Sequence, residues 1–221
     1  MANELVPVVT PVGELHYVQI SGQGKLNYNE DGYNYVATVN LTGEKAEHLK
    51  AKINEVLGEV GKGENVKSLG YREILEDEEG RYTPTQNTKD RDANAKPTGI
   101  FAFTFSTAVA FSDGKPKKIS VYNSSTPPVK INLGDKKIGN GSTGALSGKM
   151  QRFKKGKDVG VSLFLNAVQL VNFIEYVGDA GFDGQEGGWT GNDEEMDTGE
   201  DAPAAATTSA PAKTEAAKPK L

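Results

Sequence analysis

The sequence predicts an all-β domain of the small Greek-key barrel type with one packed helix, followed by a disordered tail. Three observations predict it. Five or six segments are rich in β-branched and aromatic residues and alternate apolar with polar positions. Only one segment repeats its apolar residues at helical spacing. The longest β segment loses its phase part-way, and strands that bend sharply suit a small barrel. An open sandwich of the same strands is the alternative.

Residues 14–22 (ELHYVQISG) and 33–41 (YNYVATVNL) read as strands, and the intervening QGKLNYNEDG is dense in turn-forming Asn, Asp and Gly. In 43–60, Ala46, Leu49, Ile53, Val56, Leu57 and Val60 form one apolar stripe with charges opposite, an amphipathic helix that must pack on something. Residues 61–98 contain GKGEN, EDEEG and NTKDRDANAKPTG with little periodicity, so a long irregular insertion is expected there. From 99 the pattern is β again. GIFAFTFSTAVAF places Phe101, Phe103, Phe105, Val109 and Phe111 on one face, expected to be core, and Thr104 and Ser106 on the other. KKISVY turns Ile119 and Val121 inward and Lys118, Ser120 and Tyr122 outward. Residues 145–155 and 159–177 complete the strands. In the second of these the alternation of Val161, Leu163 and Leu165 changes phase near Asn166–Val168, where a bulge or bend is expected. Order is expected to end after Gly181. The domain then spans 1–181 and the tail 182–221, acidic to 201 and Ala/Pro/Lys-rich beyond, a composition that cannot bury a core.

Composition narrows the chemistry. Zero cysteines exclude disulfides, thiolate metal sites and cysteine nucleophiles, and two histidines exclude a histidine-rich metal centre. No apolar run is long enough for a membrane span, and MANELVPVVTPVGEL lacks the basic-then-apolar pattern of a secretory leader. The net charge of −5 conceals a polarity: residues 110–160 carry eleven Lys/Arg against three acids, whereas 183–201 hold eight acids and no Lys or Arg. A basic middle and an acidic end suit a polyanion-binding surface with its own competitor attached; a solvated basic face with a solubilising tail is the plainer alternative.

Residues 148–157, GKMQRFKKGK, are the most informative. In an extended strand Lys149, Gln151, Phe153 and Lys155 share one face, and Met150 and Arg152 the other. An aromatic among cations suits single-stranded nucleic acid. Bases stack on the ring, worth about 1–3 kcal/mol each, while ammonium groups neutralise phosphates. Tyr122 beside Lys118 repeats the association. The plainer roles are that Phe153 caps the barrel edge and Tyr122 packs under a loop. The glycine-rich Ile138–Gly144 lacks the Gly-Lys-Ser/Thr ending of a P-loop and reads as a flexible approach to a strand. The acids at Glu76–Glu79 and Asp193–Glu195 lie outside any periodic element, where carboxylates are not held at the fixed separation that two-metal chemistry needs. His16 and His48 find no triad. No catalytic residue, metal site or cofactor is expected, and the chain reads as a non-enzyme.

Four short motifs recur in order: Thr-Pro-x-Gly at 10–13, Phe-x-Phe at 101–103, Ile-Gly-x-Gly-Ser at 138–142, and aromatic-Lys…Val-Gly-x-Ser at 153–162. An acidic tail follows Gly-Gly-Trp at 187–189. From about Thr10 to Trp189 the chain resembles the single-stranded DNA-binding proteins of short-tailed bacteriophages of the T-odd type. The resemblance implies an OB-fold barrel that binds single-stranded DNA without sequence preference, in the cytoplasm of an infected bacterial host. It also implies a tail that competes with DNA and docks the phage DNA polymerase and helicase-primase. Phe153 matches a tyrosine position associated with DNA binding in the family. Thr104 stands where a lysine is expected, leaving Lys115, Lys117 and Lys118 as substitutes. The family's tail closes on an aromatic, whereas here the acids, apart from Glu215, run to Asp201 and the last residues are Lys-Pro-Lys-Leu.

The expected function is therefore coating of single-stranded DNA in replication, recombination and repair, with promotion of strand annealing. Lys149, Arg152, Phe153, Lys154, Lys155 and Lys157 are the expected main contact, with Lys117, Lys118 and Tyr122 beside it. Asp193, Glu194, Glu195, Asp197, Glu200 and Asp201 are the expected DNA mimic. Two alternatives stay open, a β-barrel interaction module recruiting replication partners and an RNA-binding OB module. Homodimer formation and site size are left open too.

Overall fold

The computed structural model describes residues 4–27, 30, 32–76, 82–83 and 95–176. These fall in the first of two compact units, Met1–Gly178. The expected tail, 182–221, with its acids from Asp193 to Asp201, lies outside the described residues.

In chain order the elements are β1 (Val6–Val9), β2 (Gly13–Gln19), β3 (Lys25–Leu26), β4 (Tyr33–Thr42), α1 (Gly43–Leu57), β5 (Asn65–Ser68), β6 (Tyr71–Glu76), β7 (Tyr82–Thr83), β8 (Lys96–Ala108), β9 (Ser120–Tyr122), β10 (Lys130–Ile131), β11 (Thr143–Lys155) and β12 (Asp158–Asn172). Strands β2, β4, β8, β12 and β11 pair in that order and return to β2, closing a five-stranded barrel. Taken along the chain these five strands run 1-2-3-5-4-1, with the third and fifth parallel at Ser106 and Phe164 and the other pairs antiparallel. This is the expected Greek-key barrel, an OB-fold.

Alternation fills the interior. Leu15, Ala37, Val39, Phe103, Phe105, Leu146, Met150, Val161 and Leu163 point inward and are buried. Helix α1 follows Thr42 in extended conformation, carries Glu44 in its first turn and stops at Gly58 in the left-handed region (φ 62°). Its buried stripe, Ala46, Leu49, Ile53 and Leu57, packs against β4, β8, β11 and β12. Each large residue of that stripe contributes roughly 1.5–3 kcal/mol by burial. Of the two remaining residues of the expected stripe, Val56 is half-buried and Val60, past the helix end, is exposed. The expected bend in β12 is a bulge. Ser147 pairs with Ala167 but Gly148 with Leu165, so Asn166 is the extra residue and the inward set shifts to Val168 and Leu170.

Three expectations are corrected. The span 61–98 is not simply irregular: β5 pairs parallel with β12 and β6 antiparallel with β8, filling the splay between β8 and β12, and β8 itself begins at Lys96. All four residues of β5 are exposed, so backbone pairing alone holds it and its composition carries no strand signal. In β6 the register slips between Glu73 and Leu75, so the neighbours Ile74 and Leu75 are both buried and the alternation is erased. Phe111 is not core. The strand ends at Ala108, the chain turns at Asp113–Gly114, and the ring is 56% exposed. Strand β12 ends at Asn172, short of the expected end; among the described residues beyond it, a bridge from Glu175 to Ile138 continues the pairing, and 177 lies outside the described residues.

Candidate nucleic-acid interface

Pairing register fixes which side chains share the barrel's outer face. Thr38 lies opposite Thr104, Val36 opposite Ser106, and Asn40 opposite Ala102. His16 flanks Thr38 from β2, and Phe164 meets Ser106 from β12. These small and polar residues floor a cleft of about 830 Å³. Thr38 and Thr104 share a hydroxyl–hydroxyl hydrogen bond of 3.0 Å, which satisfies the buried Thr38. Nε2 of His16 and Oδ1 of Asn40 are shielded from solvent and lack a hydrogen-bond partner among the described residues. Oε1 of Glu14 is 3.1 Å from that Nε2, placed for an ion pair when the imidazole is protonated. Thr104 and Ser106, expected on the ligand side, line this cleft.

One end of the cleft is set by the β11–β12 hairpin, whose two-residue turn is Gly156–Lys157 with Gly156 at φ 63°. Phe153 lies opposite Gly160 and half-buried, its ring tip over that glycine. A Cβ at Gly160 would sit 2.6 Å from the ring and 2.2 Å from the carbonyl oxygen of Ser68, so no side chain fits there. Lys149 and Gln151 share the face of Phe153, and Lys149 stands opposite Phe164 of the cleft. Lys155 and Lys157 are exposed at the hairpin end.

Arg152 and Lys154 project to the other face. Arg152 donates to the carbonyl of Glu59 (3.0 Å) and to Glu64 (3.4 Å), and Lys154 pairs with Glu64 as well. The Glu64 side chain is only 12% exposed. Its carboxyl is held below the usual range by the Lys154 hydrogen bond first and the Gly61 N–H next. The structure thus separates these two cations from Phe153 and gives them a carboxylate partner, a departure from the single contact surface expected.

At the other end of the cleft stands Tyr17, which sequence reasoning passed over. Strict alternation after Leu15 points it inward. Instead, between His16–Thr38 and Gln19–Val36 the strand β2 holds one more residue than β4, and this bulge turns Tyr17 out to 62% exposure. Its backbone is left-handed (φ 51°), an uncommon state for a bulky residue, and its N–H donates to Oδ1 of Asn140 at 2.8 Å. The glycine-rich loop is what places Asn140. Ser142 is fully buried, its hydroxyl donating to the carbonyl of Gly139 and accepting from the N–H of Ile174. Gly141 N–H donates to the Leu15 carbonyl and Gly139 N–H to that of Ile174. These amides are spent within the fold.

The remaining expected residues lie apart from the cleft. Lys117 donates to Thr107 Oγ1 (3.1 Å), Tyr122 is half-buried opposite Lys130, and Lys118 lines a neighbouring cleft. Lys115 pairs with Asp113 at 2.9 Å. Lys25 and Arg72, not singled out in the sequence, line the first cleft; both come from short strands, and although Arg72 follows Tyr71, neither stands in a run of cations that would mark a site. No helix among the described residues is long and apolar enough to cross a membrane.

No protein-family model matches the chain, and no curated protein sequence matches it. Solved structures do. The single-stranded DNA-binding protein gp2.5 of bacteriophage T7 matches with a TM-score of 0.55 at 14% identity, over 86% of this chain and 100% of that one. The single-stranded DNA-binding protein of bacteriophage Enc34 matches at 12% identity with a TM-score of 0.43, over 81% of this chain and 96% of that one. Its C-terminally truncated form gives 0.45 at 10% identity, over 76% and 87%. The T7 protein belongs to the phage group whose motifs the sequence resembles, so the resemblance read from the residues is met by a shared fold.

Proposed function

We propose that the chain is a sequence-independent single-stranded DNA-binding protein of phage replication and recombination. The observation that carries this reading is the continuous outer face from Tyr17 across the Thr38–Thr104 floor to Phe153. It has an aromatic at each end and small hydroxyl side chains between them. Cations Lys25 and Arg72 line it, and Lys149, Lys155 and Lys157 flank the Phe153 end. The second and third strands of an OB barrel are a known platform for oligonucleotides, and they form this floor. Bases stack without regard to identity, and phosphates are neutralised at the rim. The name of the structurally similar T7 protein supports the same reading.

In this account residues 1–181 bind DNA, and the acidic block Asp193–Asp201 of the tail competes for the same surface and recruits polymerase and helicase-primase. Arg152 and Lys154 join the interface once phosphate displaces Glu64. Coating protects the strand and favours annealing, without catalysis. Fluorescence anisotropy tests it, with single-stranded DNA, duplex DNA and matched RNA over a salt series, using the full chain and a truncation after Gly181. Preferential single-strand binding that weakens with salt, at a log–log slope of about −0.7 per phosphate, is expected. Tightening on truncation, largest at low salt, reports the competitor. Absence of binding by either form at low salt refutes the reading, and preference for RNA moves it to an RNA module.

A further inference from the structure

The outer cleft is poorly equipped for a polyanion by itself. Lys25 and Arg72 line it together with Glu14 and Glu73, so its formal charges cancel. A second cleft, of about 970 Å³, adjoins it and shares Tyr17, Lys25 and Val36. This one is lined by Lys25, Lys118, Lys130, Lys136 and Lys137 and, among the described residues, by no Asp or Glu. Lys136 is paired with Glu175 at 2.7 Å. The other four are exposed and have no ion-pair partner among the described residues. They come from separate elements: the β2–β4 connection, the approach to β9, β10, and the glycine-rich loop's lead-in. Only the fold brings them together.

Tyr17 stands where the two clefts meet, held outward in a strained backbone state by Asn140. Strain kept at an exposed aromatic, between a stacking surface and a lysine-lined channel, points to a role there rather than to packing. We propose that the lysine cleft is a second subsite for single-stranded DNA. It takes the phosphates of the strand that leaves the barrel face over Tyr17, and it is occupied only by strands long enough to pass that residue. The proposal rests on the reading of the first cleft as a DNA site. It adds that neutralisation is supplied mainly next door.

The test uses the full chain and the double variant Lys130→Gln/Lys137→Gln, both positions being exposed. Affinity for oligothymidylates of about 4 and about 16 nucleotides, spanning the range of OB-fold site sizes, is read against salt. The expected result is an unchanged short oligomer and a long oligomer whose slope flattens by about 1.4, on the order of 20-fold weaker at about 0.1 M salt. Phe153→Ala, by contrast, weakens both lengths. A long-oligomer slope that is unchanged or steeper in the double variant overturns the proposal. Tighter binding does so as well, and assigns the lysines to the protein's own acidic segment. Failure of the unsubstituted protein to bind either length refutes the first-cleft reading itself, a distinct outcome.

Discussion

Replacing Tyr17 by asparagine sets stability against binding. A non-glycine residue in the left-handed region costs roughly 1–2 kcal/mol, but asparagine tolerates that region because its short amide bonds locally. Tyr17 is 62% exposed, and its ring neighbour is His16 at 6.2 Å, so little packing is lost with the side chain. The backbone N–H keeps its bond to Asn140, which any residue but proline can make. Tyr17→Asn is therefore expected to stabilise by about 1 kcal/mol, raising Tm by about 2–4 °C for a domain of this size. Loss of one stacking ring removes about 1–3 kcal/mol of binding, which is about 5- to 150-fold in Kd. Thermal unfolding by circular dichroism and oligothymidylate anisotropy read the two effects separately, and Tyr17→Phe, keeping ring and strain, should leave both near the starting values. An asparagine variant that melts lower than the parent refutes the strain argument; one that binds DNA equally well refutes the role of the ring.

Phe153→Ala should weaken single-stranded DNA binding by about 1–3 kcal/mol while Phe153→Tyr restores it, measured by the same anisotropy titration. Glu64→Gln releases Arg152 and Lys154, so binding should tighten and its salt slope steepen. The same change has a pH signature. Because the Glu64 carboxyl is held below its usual value, its contribution is fully present above the ordinary glutamate pKa of about 4.3 and is lost as pH falls through the depressed folded value. Urea unfolding below about pH 4.3 should therefore show a shallower acid limb in the variant. Gly160→Ala places a Cβ 2.2 Å from the Ser68 carbonyl, a backbone atom that cannot swing aside, and should destabilise by roughly 1–3 kcal/mol while displacing Phe153; a melting curve and a short-oligomer titration check both parts.

Much of the barrel was legible because its strands obey period two. Phe103 and Phe105 inward with Thr104 and Ser106 outward follow from alternation alone, and so does the separation of Phe153 from Met150. The helix was legible because Ala46, Leu49, Ile53 and Leu57 repeat at helical spacing over a span longer than any strand. Phe153 stood out because an aromatic between lysines is rare in a core face, and the fold places it at one end of the outer cleft. Arg152 and Lys154 were grouped with it by proximity in the sequence, although alternation already puts Arg152 on the opposite face. Their partner, Glu64, lies 88 and 90 residues away and only the fold brings it near. The lysine cleft was illegible for the same reason: Lys25, Lys118, Lys130 and Lys137 are scattered among turns and short strands.

Several of the misread positions share a physical cause, and it bears on the outer cleft. Alternation fails where a register slips: at Tyr17 in β2, at Glu73–Leu75 in β6, and at Val159–Gly160 where β5 meets β12. Each slip borders the outer cleft, for Tyr17, Glu73, Ile74 and Ser68 all line it. A regular strand would send every second side chain into a core that is already filled by Leu15, Phe103 and Phe105. Adding one residue to β2 instead turns an aromatic outward without emptying the interior, since Val18 takes up packing against the core beyond it. The β5–β6 excursion does the complementary job, bringing Arg72 to the cleft by pairing to a barrel edge that β12 leaves open. Departures from the strand rule are therefore how this barrel acquires its outer cleft while keeping a dry core, and a sequence reading that assumes the rule holds will find the core first and the rim of the cleft last.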